Sequence, residues 1–371
     1  MRVTSLTADP RYMQTCAGSL YNASFGNAAN FFGPNRDQTH SYFFSDQWND
    51  DILWFGMPAL SGAEMYGITQ PKQNQKNTVD YIKLSKNTFD DVWKSWDPTT
   101  CNGGIFWIAK DSPVKSGADK NYKSTITNVQ FLSFAARMYG LTNDQSYLNK
   151  ADMVYLWLQN IGLVRMNGDV YDGASAPACT SFNTNQIALS YIYGQLIEGL
   201  SYLYQVTKKE TYLKDAELYA NKSLSYYSRD NVIRDTCEPR CDTKTVPPKG
   251  ILLRGYAALY PLTTHTIQAQ IKTQLQASME GMLKTCDDKF NCNSNWGTDG
   301  TIQTDVHKQI NTVELFAAAL KVFAPRDTPV QFKYDSINKI NSGTSTSSSS
   351  LPWPFLSSTM LFGIFVQMLM F

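Results

Sequence analysis

The segment QWNDDILWFGMPALSGAEMYG, residues 47–67, combines a helical pattern with two adjacent acidic residues near its start. Its apolar residues recur at three- and four-residue intervals: Ile52, Phe55, Ala59 and Ala63. This spacing predicts a helix with one buried face. Asn49 is a suitable N-cap, so Asp50 and Asp51 are expected in the first turn, where unpaired backbone N–H groups and the helix dipole favour negative charge.

The same helical spacing continues along most of the chain: 10–27, 50–67, 88–96, 126–140, 146–161, 186–206, 210–228, 247–262, 265–286 and 307–323. Gly, Asn, Asp or Pro follows each segment, and strand signals are confined to short hairpins or ordered loops at 103–110 and 162–173. This alternation predicts an all-α toroid or barrel of helix hairpins over residues 1–335. A solenoid of helical repeats is the alternative, but the sequence has no fixed repeat period.

The composition favours a neutral ligand. Lys and Arg total 33 against 32 for Asp and Glu, so no nucleic acid or acidic polymer is expected as a partner. Aromatic residues make up 13% of the chain, with 21 Tyr and 8 Trp. Such surfaces suit sugars, whose C–H faces pack on aromatic rings; a large aromatic core explains the composition equally well.

The seven cysteines favour disulfides over a metal centre. The close pairs Cys237/Cys241 and Cys286/Cys292 lie in polar segments and lack the spacing of zinc ligands. The chain has only three histidines, so no metal is predicted. We expect local disulfides in an oxidising compartment, with Cys101 and Cys179 as further candidates and Cys16 as the odd cysteine.

The C-terminal sequence predicts a cell-surface location. Residues 336–350 form a Ser/Thr-rich linker, and residues 351–371 form a hydrophobic tail without a basic stop. This pattern is typical of a GPI-attachment signal, with Asn341 or Ser342 as the acceptor, and places the protein on the outer face of the plasma membrane or in the cell wall. A tail-anchoring helix is the alternative, which two prolines and the missing cytoplasmic charges disfavour.

Two further features bear on secretion. The sequons at Asn22 and Asn221 agree with N-glycosylation of an exported protein. The first residues, MRVTSLTADPRYMQTC, contain no apolar segment of the kind found in a signal peptide. We therefore expect the true N-terminus to lie upstream of Met1.

The acidic pair suggests glycosidase chemistry. Retaining glycoside hydrolases need two carboxyl groups about 5–5.5 Å apart, one as nucleophile and one as acid/base. Neighbouring side chains at a helix start, here Asp50 and Asp51, can reach this spacing. The helix N-terminus would hold one group ionised, and that charge, together with aromatic desolvation, would keep the other protonated. Ordinary stabilisation of a helix first turn is the alternative for such a pair.

Several motifs occur in an order that resembles glycoside hydrolase family 76, the α-1,6-mannanases, and especially its fungal GPI-anchored Dfg5/Dcw1 branch. The matching segments begin with WNDDILWFGMPALSGAE, CNGGIFWIAK and the long NYKSTITNVQ segment, and continue with VYDGA, CEPRC and KGILLRGYAALY. Together they cover most of residues 10–340.

The resemblance implies an (α/α)6 barrel that hydrolyses α-1,6-mannosidic linkages with retention, or transfers the mannosyl group, without a cofactor. Cell-wall mannan and the GPI-core glycan are the implied substrates, and wall glucan is a candidate acceptor. Position by position, Asp50 corresponds to the nucleophile and Asp51 to the acid/base. The remaining candidates for substrate binding are Asn49, Trp54, Lys123, Asn128, Asp172, Tyr191 and Arg254.

Some of these candidates have structural alternatives. Helix capping or loop hydrogen bonding would equally explain Lys123 and Asn128, and a turn role is favoured for Asp172. Lys249 and Arg254 are assigned either to the cleft or to a solvated helix face, and the solvated face is slightly favoured for Lys249.

The chain also departs from the family pattern. The family's Trp-Ser-Tyr-Asn-x-Gly stretch reads LSYIYG at 189–194, so Leu189 and Ile192 replace Trp and Asn. This change suggests an altered sugar subsite. The region before residue 10 is shorter than in the family, so we expect the first helix hairpin of the barrel to be missing. A catalytically weak, mannan-binding lectin on the same barrel, or an α/α-barrel enzyme for other polysaccharides such as an unsaturated uronyl hydrolase, are the alternative functions.

Overall fold

The computed structural model describes residues 18–24, 26, 29–31, 48–66, 80–110, 112, 118–179, 187–239, 241, 248–297 and 306–323. Its helices are α1 (Asn49–Tyr66), α2 (Tyr81–Trp93), α3 (Thr125–Thr142), α4 (Gln145–Asn160), α5 (Ser190–Thr207), α6 (Glu210–Tyr226), α7 (Gly250–Leu259), α8 (His265–Leu283) and α9 (Val306–Phe323). Two small antiparallel sheets pair β1 (Tyr122–Ser124) with β2 (Gly173–Ser175) and β3 (Ser228–Arg229) with β4 (Val232–Ile233).

The helices form two concentric layers. The odd-numbered helices α1, α3, α5, α7 and α9 pack against each other in chain order. The even-numbered helices cover them, since α2 packs on α1, α4 on α3, α6 on α5 and α8 on α9. The residues of α3 from Thr125 to Met138 are all buried, as expected for an inner helix. Because each outer helix reverses the chain, the inner helices run in the same direction and their N-terminal ends gather at one end of the barrel.

Two glycines allow the inner helices α5 and α7 to touch. A Cβ atom on Gly194 would lie 2.3 Å from the carbonyl oxygen of Ile251, and one on Gly255 would lie 2.4 Å from the carbonyl oxygen of Gly194. No side chain fits at either position without moving a backbone. This contact fixes the spacing of the two helices beside the gathered N-termini.

The predicted all-α barrel of helix hairpins is confirmed, with one error in helix placement. The segment 88–96 was expected to be helical, but α2 begins at Tyr81 and ends at Trp93. The side chain of Asp80 accepts a hydrogen bond from the backbone N–H of Lys83 at 2.9 Å and caps the helix earlier than its apolar pattern suggests. Within 10–27, the described residues are helical over 18–23.

Three disulfides are present among the described residues. The two predicted local bridges, Cys237–Cys241 and Cys286–Cys292, are confirmed. The third, Cys101–Cys179, joins the loop after α2 to the loop after β2 across a separation of 78 residues. The bridge therefore ties together two of the loops at the N-terminal end of the inner helices.

Other expectations concern the chain ends and its surface. Asn22 and Asn221 are both exposed on helical segments. The predicted missing hairpin, Cys16, and the linker and tail with Asn341 and Ser342 lie outside the described residues. No helix within the described part of the chain is long and apolar enough to cross a membrane.

Candidate active site

The start of α1 places the acidic pair. Asp50 and Asp51 lie in the first turn, as predicted. The N-cap is different from the expected one: α1 begins at Asn49, and the carbonyl oxygen of Trp48 accepts the bond from the backbone N–H of Ile52 at 3.2 Å. Trp48 is therefore the N-cap, and the side chain of Asn49 is released for another contact.

Asn49 anchors the helix start to the segment 105–108. Its side-chain amide donates to the carbonyl oxygen of Phe106 at 2.8 Å, and its backbone N–H donates to the carbonyl oxygen of Trp107 at 2.7 Å. An antiparallel bridge between Trp48 and Ile108 extends the contact. Asn49 is fully buried, so in this structure it positions the acidic pair.

Asn128 fixes the other side of the same segment. Its side-chain oxygen accepts from the backbone N–H of Ile105 at 2.9 Å, and its amide donates to the carbonyl oxygens of Ile105 and Ser124 at 3.1 and 2.8 Å. The side chain is fully buried. The loop-binding alternative therefore fits Asn128 better than direct sugar contact.

Asp50 is the electrostatically unusual member of the pair. The residue is half-buried and its Oδ1 is shielded from solvent, whereas Asp51 is exposed. Burial raises the pKa of Asp50 to about 7, and the charge of Asp51 adds to this effect. The backbone N–H groups of both residues and the nearby Trp107 indole act in the opposite direction. The pair therefore retains one proton near neutral pH.

Aromatic rings surround the helix start. The rings of Trp48 and Trp107 lie 5.5 Å apart at an angle of 30°. The indole N–H of Trp48 and Oδ1 of Asp50 are buried and make no hydrogen bond within the described part of the chain, whereas the indole of Trp107 lies close enough to the carboxyl of Asp50 to lower its pKa. Trp54 is half-buried and packs on the core one turn further along α1. The indole N–H of Trp48, which has no partner among the described residues and lies beside a shielded carboxyl, can donate a hydrogen bond to a hydroxyl group of a ligand.

Tyr191, near the start of α5, lies close to the acidic pair. Burial raises its pKa, and the negative charges of Asp172, Asp50 and Asp235 raise it further. Because Coulomb interactions weaken with distance, these effects place the phenol among carboxyl groups from three different parts of the chain. Tyr191 thus stays protonated and can donate a hydrogen bond.

Asp172 lies in the turn before β2, with its side chain exposed. Its carbonyl oxygen accepts from the backbone N–H of Thr125 at 2.7 Å, so the backbone of Asp172 continues the pairing of β1 with β2. Its carboxylate accepts from the hydroxyl of Tyr122 at 2.5 Å. The same Tyr122 accepts at its carbonyl oxygen from the backbone N–H of Trp107, which links Asp172 to the segment 105–108.

Lys123 organises the loop after α2. Its ammonium lies 3.0 Å from Oδ2 of Asp97 and donates to the carbonyl oxygens of Thr100 and Gly103 at 2.7 and 2.6 Å. The side chain is fully buried, so this loop role fits it better than sugar contact. Lys123 and the Cys101–Cys179 bridge together hold the loop against the barrel.

The prediction of a solvated face for Lys249 is wrong. Lys249 precedes α7, is fully buried and donates to both carboxylate oxygens of Glu238 at 2.8 and 2.9 Å. Its ammonium also lies 3.9 Å from the ring centroid of Trp296. Burial lowers its pKa, against the opposing effect of Glu238. The sequence showed only a lysine before a helix, not its partner in the disulfide loop.

Arg254 belongs to a series of charges inside the barrel. It donates to Glu314 of α9, and the charge of Glu198 on α5 also raises its pKa. Arg137 on α3 continues the series to Glu64 on α1. Each inner helix therefore contributes one member of this series, and the signs of the charges alternate from α1 to α9. In this position Arg254 joins α7 to α9.

Three residues near the pair were missed as candidates. Trp107 and Tyr122 stand in segments that matched the family, but nothing in the sequence showed that they meet Asp50 and Asp172. Asp235 is buried, and its carboxylate accepts from the hydroxyl of Ser190 at the start of α5. Its position just before the Cys237–Cys241 loop was the one available signal.

Comparison with known proteins establishes the family. The model of glycosyl hydrolase family 76 matches residues 5–331, so the chain belongs to this family. It is similar to the mannan endo-1,6-alpha-mannosidase DFG5 of Candida albicans, with 28% identity over 291 residues, which cover 76% of this chain and 61% of the relative. The chain thus spans less than two thirds of the length of that relative.

Solved structures share the fold. Dfg5 from Chaetomium thermophilum, solved in complex with glucosamine, matches with a TM-score of 0.71 and 24% identity, covering 86% of this chain and 77% of that chain. The GH76A α-1,6-mannanase from Salegentibacter matches with a TM-score of 0.63 and 20% identity, covering 84% and 88%. An inactive variant of that mannanase, with two consecutive aspartates replaced, was solved in complex with α-1,6-mannotetrose.

Proposed function

We propose that this chain is an endo-α-1,6-mannosidase or mannosyl transglycosidase, with Asp50 and Asp51 as its catalytic pair. One observation carries the proposal: adjacent carboxyl groups begin an inner helix, one shielded with a pKa raised to about 7 and the other exposed. Near neutral pH this pair holds one proton. A retaining mechanism needs one protonated and one ionised carboxyl group on the same glycosidic bond.

The reaction follows from these two protonation states. The ionised carboxylate attacks the anomeric carbon while the protonated carboxyl donates its proton to the leaving glycosidic oxygen. The bond to the leaving sugar breaks and a glycosyl ester forms on the enzyme. The second carboxyl, now ionised, then removes a proton from water or from a sugar hydroxyl, which attacks the ester. Water gives hydrolysis, and a sugar hydroxyl gives transfer.

The two roles within the pair can be distinguished chemically. The family resemblance assigns the nucleophile to Asp50, whereas its raised pKa favours Asp50 as the proton donor. With an aryl α-mannoside carrying a good leaving group, azide should rescue the alanine variant at each position. A variant lacking the nucleophile gives the β-mannosyl azide, and a variant lacking the acid/base gives the α-mannosyl azide.

The names and complexes of the relatives support the substrate class. DFG5 of Candida albicans is a mannan endo-1,6-alpha-mannosidase, and the Salegentibacter variant inactivated at two consecutive aspartates binds α-1,6-mannotetrose. By this similarity, cell-wall mannan or the GPI-core glycan is the donor, and wall glucan is a candidate acceptor. The near-neutral charge of the chain agrees with such a substrate.

A mannan-binding lectin on the same barrel is the competing function. The replacement of the family's Trp and Asn by Leu189 and Ile192 suggests this function. Ile192 is fully buried in the hydrophobic core, so its replacement of Asn alters packing in this structure. Leu189 is half-buried and precedes α5, two residues from Tyr191, so it is the departure that can affect a subsite.

The deciding experiment compares wild type with Asp50→Asn and Asp51→Asn on α-1,6-mannotetraose, measuring both binding and product release. Loss of product with retained binding in each variant supports the catalytic pair. Full activity in both variants would refute it. Wild-type binding without any turnover, of hydrolysis or of transfer, would favour the lectin.

We further propose that the protein acts at the cell surface through a GPI anchor attached at Asn341 or Ser342. The Ser/Thr-rich linker and apolar tail support this location. Phosphatidylinositol-specific phospholipase C should release the full-length protein from intact cells. Retention after treatment, or secretion that does not depend on the tail, would contradict the anchor.

A further inference from the structure

A groove is lined by Phe106 and Ile108 of the segment 105–108, the same segment that holds the start of α1. It has a volume of about 410 Å³, within the range of small-ligand sites. Phe106 lines the groove, while Asn49 binds the carbonyl oxygen of the same residue from the α1 side. The groove and the proposed catalytic carboxyls therefore share the segment 105–108 as a common support.

Lysines give the groove a positive charge. Lys94, Lys110 and Lys120 line it, together with Asp97. The charge of Asp97 is balanced by Lys123, at 3.0 Å. Lys94 lies 3.0 Å from the carboxylate of Asp91, which offsets its charge as well.

Two ammonium groups then dominate the lining. Lys110 and Lys120 are both exposed and both line the groove, ten residues apart in the connection between α2 and β1. Among the described residues of the lining, these two positive charges are the ones left after the pairs with Asp97 and Asp91 are taken into account. An anionic group bound between them would make charge-assisted hydrogen bonds.

The floor of the groove suits a sugar ring. Phe106 is half-buried, and the buried ammonium of Lys123 lies 4.7 Å from its ring centroid and holds the ring in place. Trp96 also lines the groove, and it stacks on Trp93 with centroids 5.0 Å apart. A rigid aromatic surface beside two cations combines sugar packing with anion binding.

We propose that this groove is a subsite for a sugar residue that carries an anionic substituent, either a phosphate or a carboxylate. It would bind an acidic branch or end of the glycan whose backbone is cleaved at Asp50 and Asp51, and in this respect it rests on the proposed function. The surface around the acidic pair, with Trp48 and Trp107, would then bind the neutral backbone of the glycan, and the lysine-lined groove would bind its acidic substituent.

The test measures binding of single sugars to the full chain by calorimetry. The probes are mannose 6-phosphate, glucuronic acid, mannose and inorganic phosphate, and the variant is Lys110→Gln combined with Lys120→Gln. We expect mannose 6-phosphate or glucuronic acid to bind wild type about tenfold more tightly than mannose, and this preference to disappear in the variant. The acid that binds more tightly identifies the substituent.

Lys83→Gln combined with Lys86→Gln is the matched control, because both lysines are exposed on the outer helix α2. It removes the same charge away from the groove and should bind the probes as wild type does. The preference should also weaken when salt is raised from about 0.05 to 0.3 M. Equal binding of acidic and neutral sugars, equal loss in the control variant, or binding of inorganic phosphate as tightly as the sugar phosphate would each overturn the proposal.

The outcome is independent of catalysis. If the Asp50→Asn and Asp51→Asn variants kept full activity while mannose 6-phosphate still bound through Lys110 and Lys120, the proposed catalytic pair would fail and the anionic subsite would stand. If the pair proved catalytic and the lysines had no effect on binding, only the subsite would fail.

Discussion

Arg137 of α3 binds both carboxylate oxygens of Glu64 of α1, with its Nε at 2.7 Å from Oε1 and its Nη2 at 2.8 Å from Oε2. The same Nη2 donates to the hydroxyl of Ser61 at 2.8 Å. Arg137 is buried, and Glu64 is near the C-terminal end of the helix that carries the acidic pair. The ion pair therefore fixes one end of α1, as Asn49 fixes the other.

Replacing Arg137 with Met should destabilise the fold. The variant removes the two charge-assisted hydrogen bonds to Glu64, and because the Glu64 side chain is 33% exposed, water replaces part of the lost interaction; we expect a cost of about 2 kcal/mol of unfolding free energy. Chemical denaturation measures the change. Lys94→Met is the control, since its pair with Asp91 involves a lysine side chain that is 43% exposed. Its loss should cost less than about 1 kcal/mol. Equal effects of the two variants would contradict a stabilising role of the Arg137–Glu64 pair.

The acidic pair predicts a pH dependence of stability. The pKa of Asp50 in the fold, about 7, lies above its ordinary value of 3.8, so the folded state binds more protons between these values. The stabilisation from protonated Asp50 is complete below pH 3.8 and is lost as the pH rises through about 7. Asp50→Asn should therefore reduce the loss of unfolding free energy between about pH 5 and pH 8.

Asp144→Asn provides the matched control for that experiment. Asp144 caps α4, and the hydrogen bonds from Ser146 lower its pKa. The stabilisation that Asp144 contributes is present above the ordinary pKa of an aspartate and is lost only in more acidic solution. The control should keep the wild-type change between about pH 5 and pH 8. An unchanged slope in Asp50→Asn would show that Asp50 does not titrate in this range.

Trp107→Phe should move the basic limb of the pH–activity profile to higher pH. The indole of Trp107 lowers the pKa of Asp50, so its removal lets the pKa rise. The profile of kcat/KM against pH measures the shift. Trp157→Phe removes an indole N–H that donates to the carbonyl oxygen of Cys101 at 3.0 Å, away from the pair. Equal shifts of the pH–activity profile in the two variants would contradict a specific effect of the Trp107 indole on Asp50.

Gly194→Ala should destabilise the barrel by at least about 3 kcal/mol, because the added Cβ overlaps the backbone of α7. Thermal unfolding measures the effect. A Cβ on Gly18 would meet nothing within 4 Å, so Gly18→Ala is the control and should be neutral or slightly stabilising. A tolerated alanine at position 194 would mean that α5 and α7 are further apart than described.

Loss of the long disulfide should cost more than loss of a short one. Cys101–Cys179 spans 78 residues and Cys237–Cys241 spans 4. Chain-entropy estimates give about 4.5 kcal/mol for the first and about 2 kcal/mol for the second. Denaturation of the paired Cys→Ser variants, with and without reductant, measures the difference. The reverse order would show that strain or residual structure outweighs loop entropy.

The sequence was sufficient for the all-α barrel because apolar residues recur at helical spacing and a turn residue follows each helical segment. It also located Asp50 and Asp51 in a first turn, since acidic residues directly before an apolar stripe have few other positions. It misplaced the start of α2, where polar residues such as Lys83 obscured the pattern and the cap at Asp80 decided the boundary.

The sequence could not assign partners across the barrel. Lys123 and Lys249 look alike in the sequence, yet each is buried against an acid from a distant loop, Asp97 and Glu238 respectively. Likewise, Asn49 was expected to cap its own helix and instead binds Phe106. These pairings depend on how loops fold over the N-terminal ends of the inner helices, which local spacing does not encode.

The burial of Lys123 and Lys249 has a practical consequence for anyone who wishes to attach this protein to a solid support. Both amines are 0% exposed, so reagents that couple to lysine would leave unmodified the loops that these two residues hold in place. Coupling would occur at peripheral amines such as Lys83 and Lys214, which are exposed. An immobilised preparation should therefore keep the loops around the acidic pair intact.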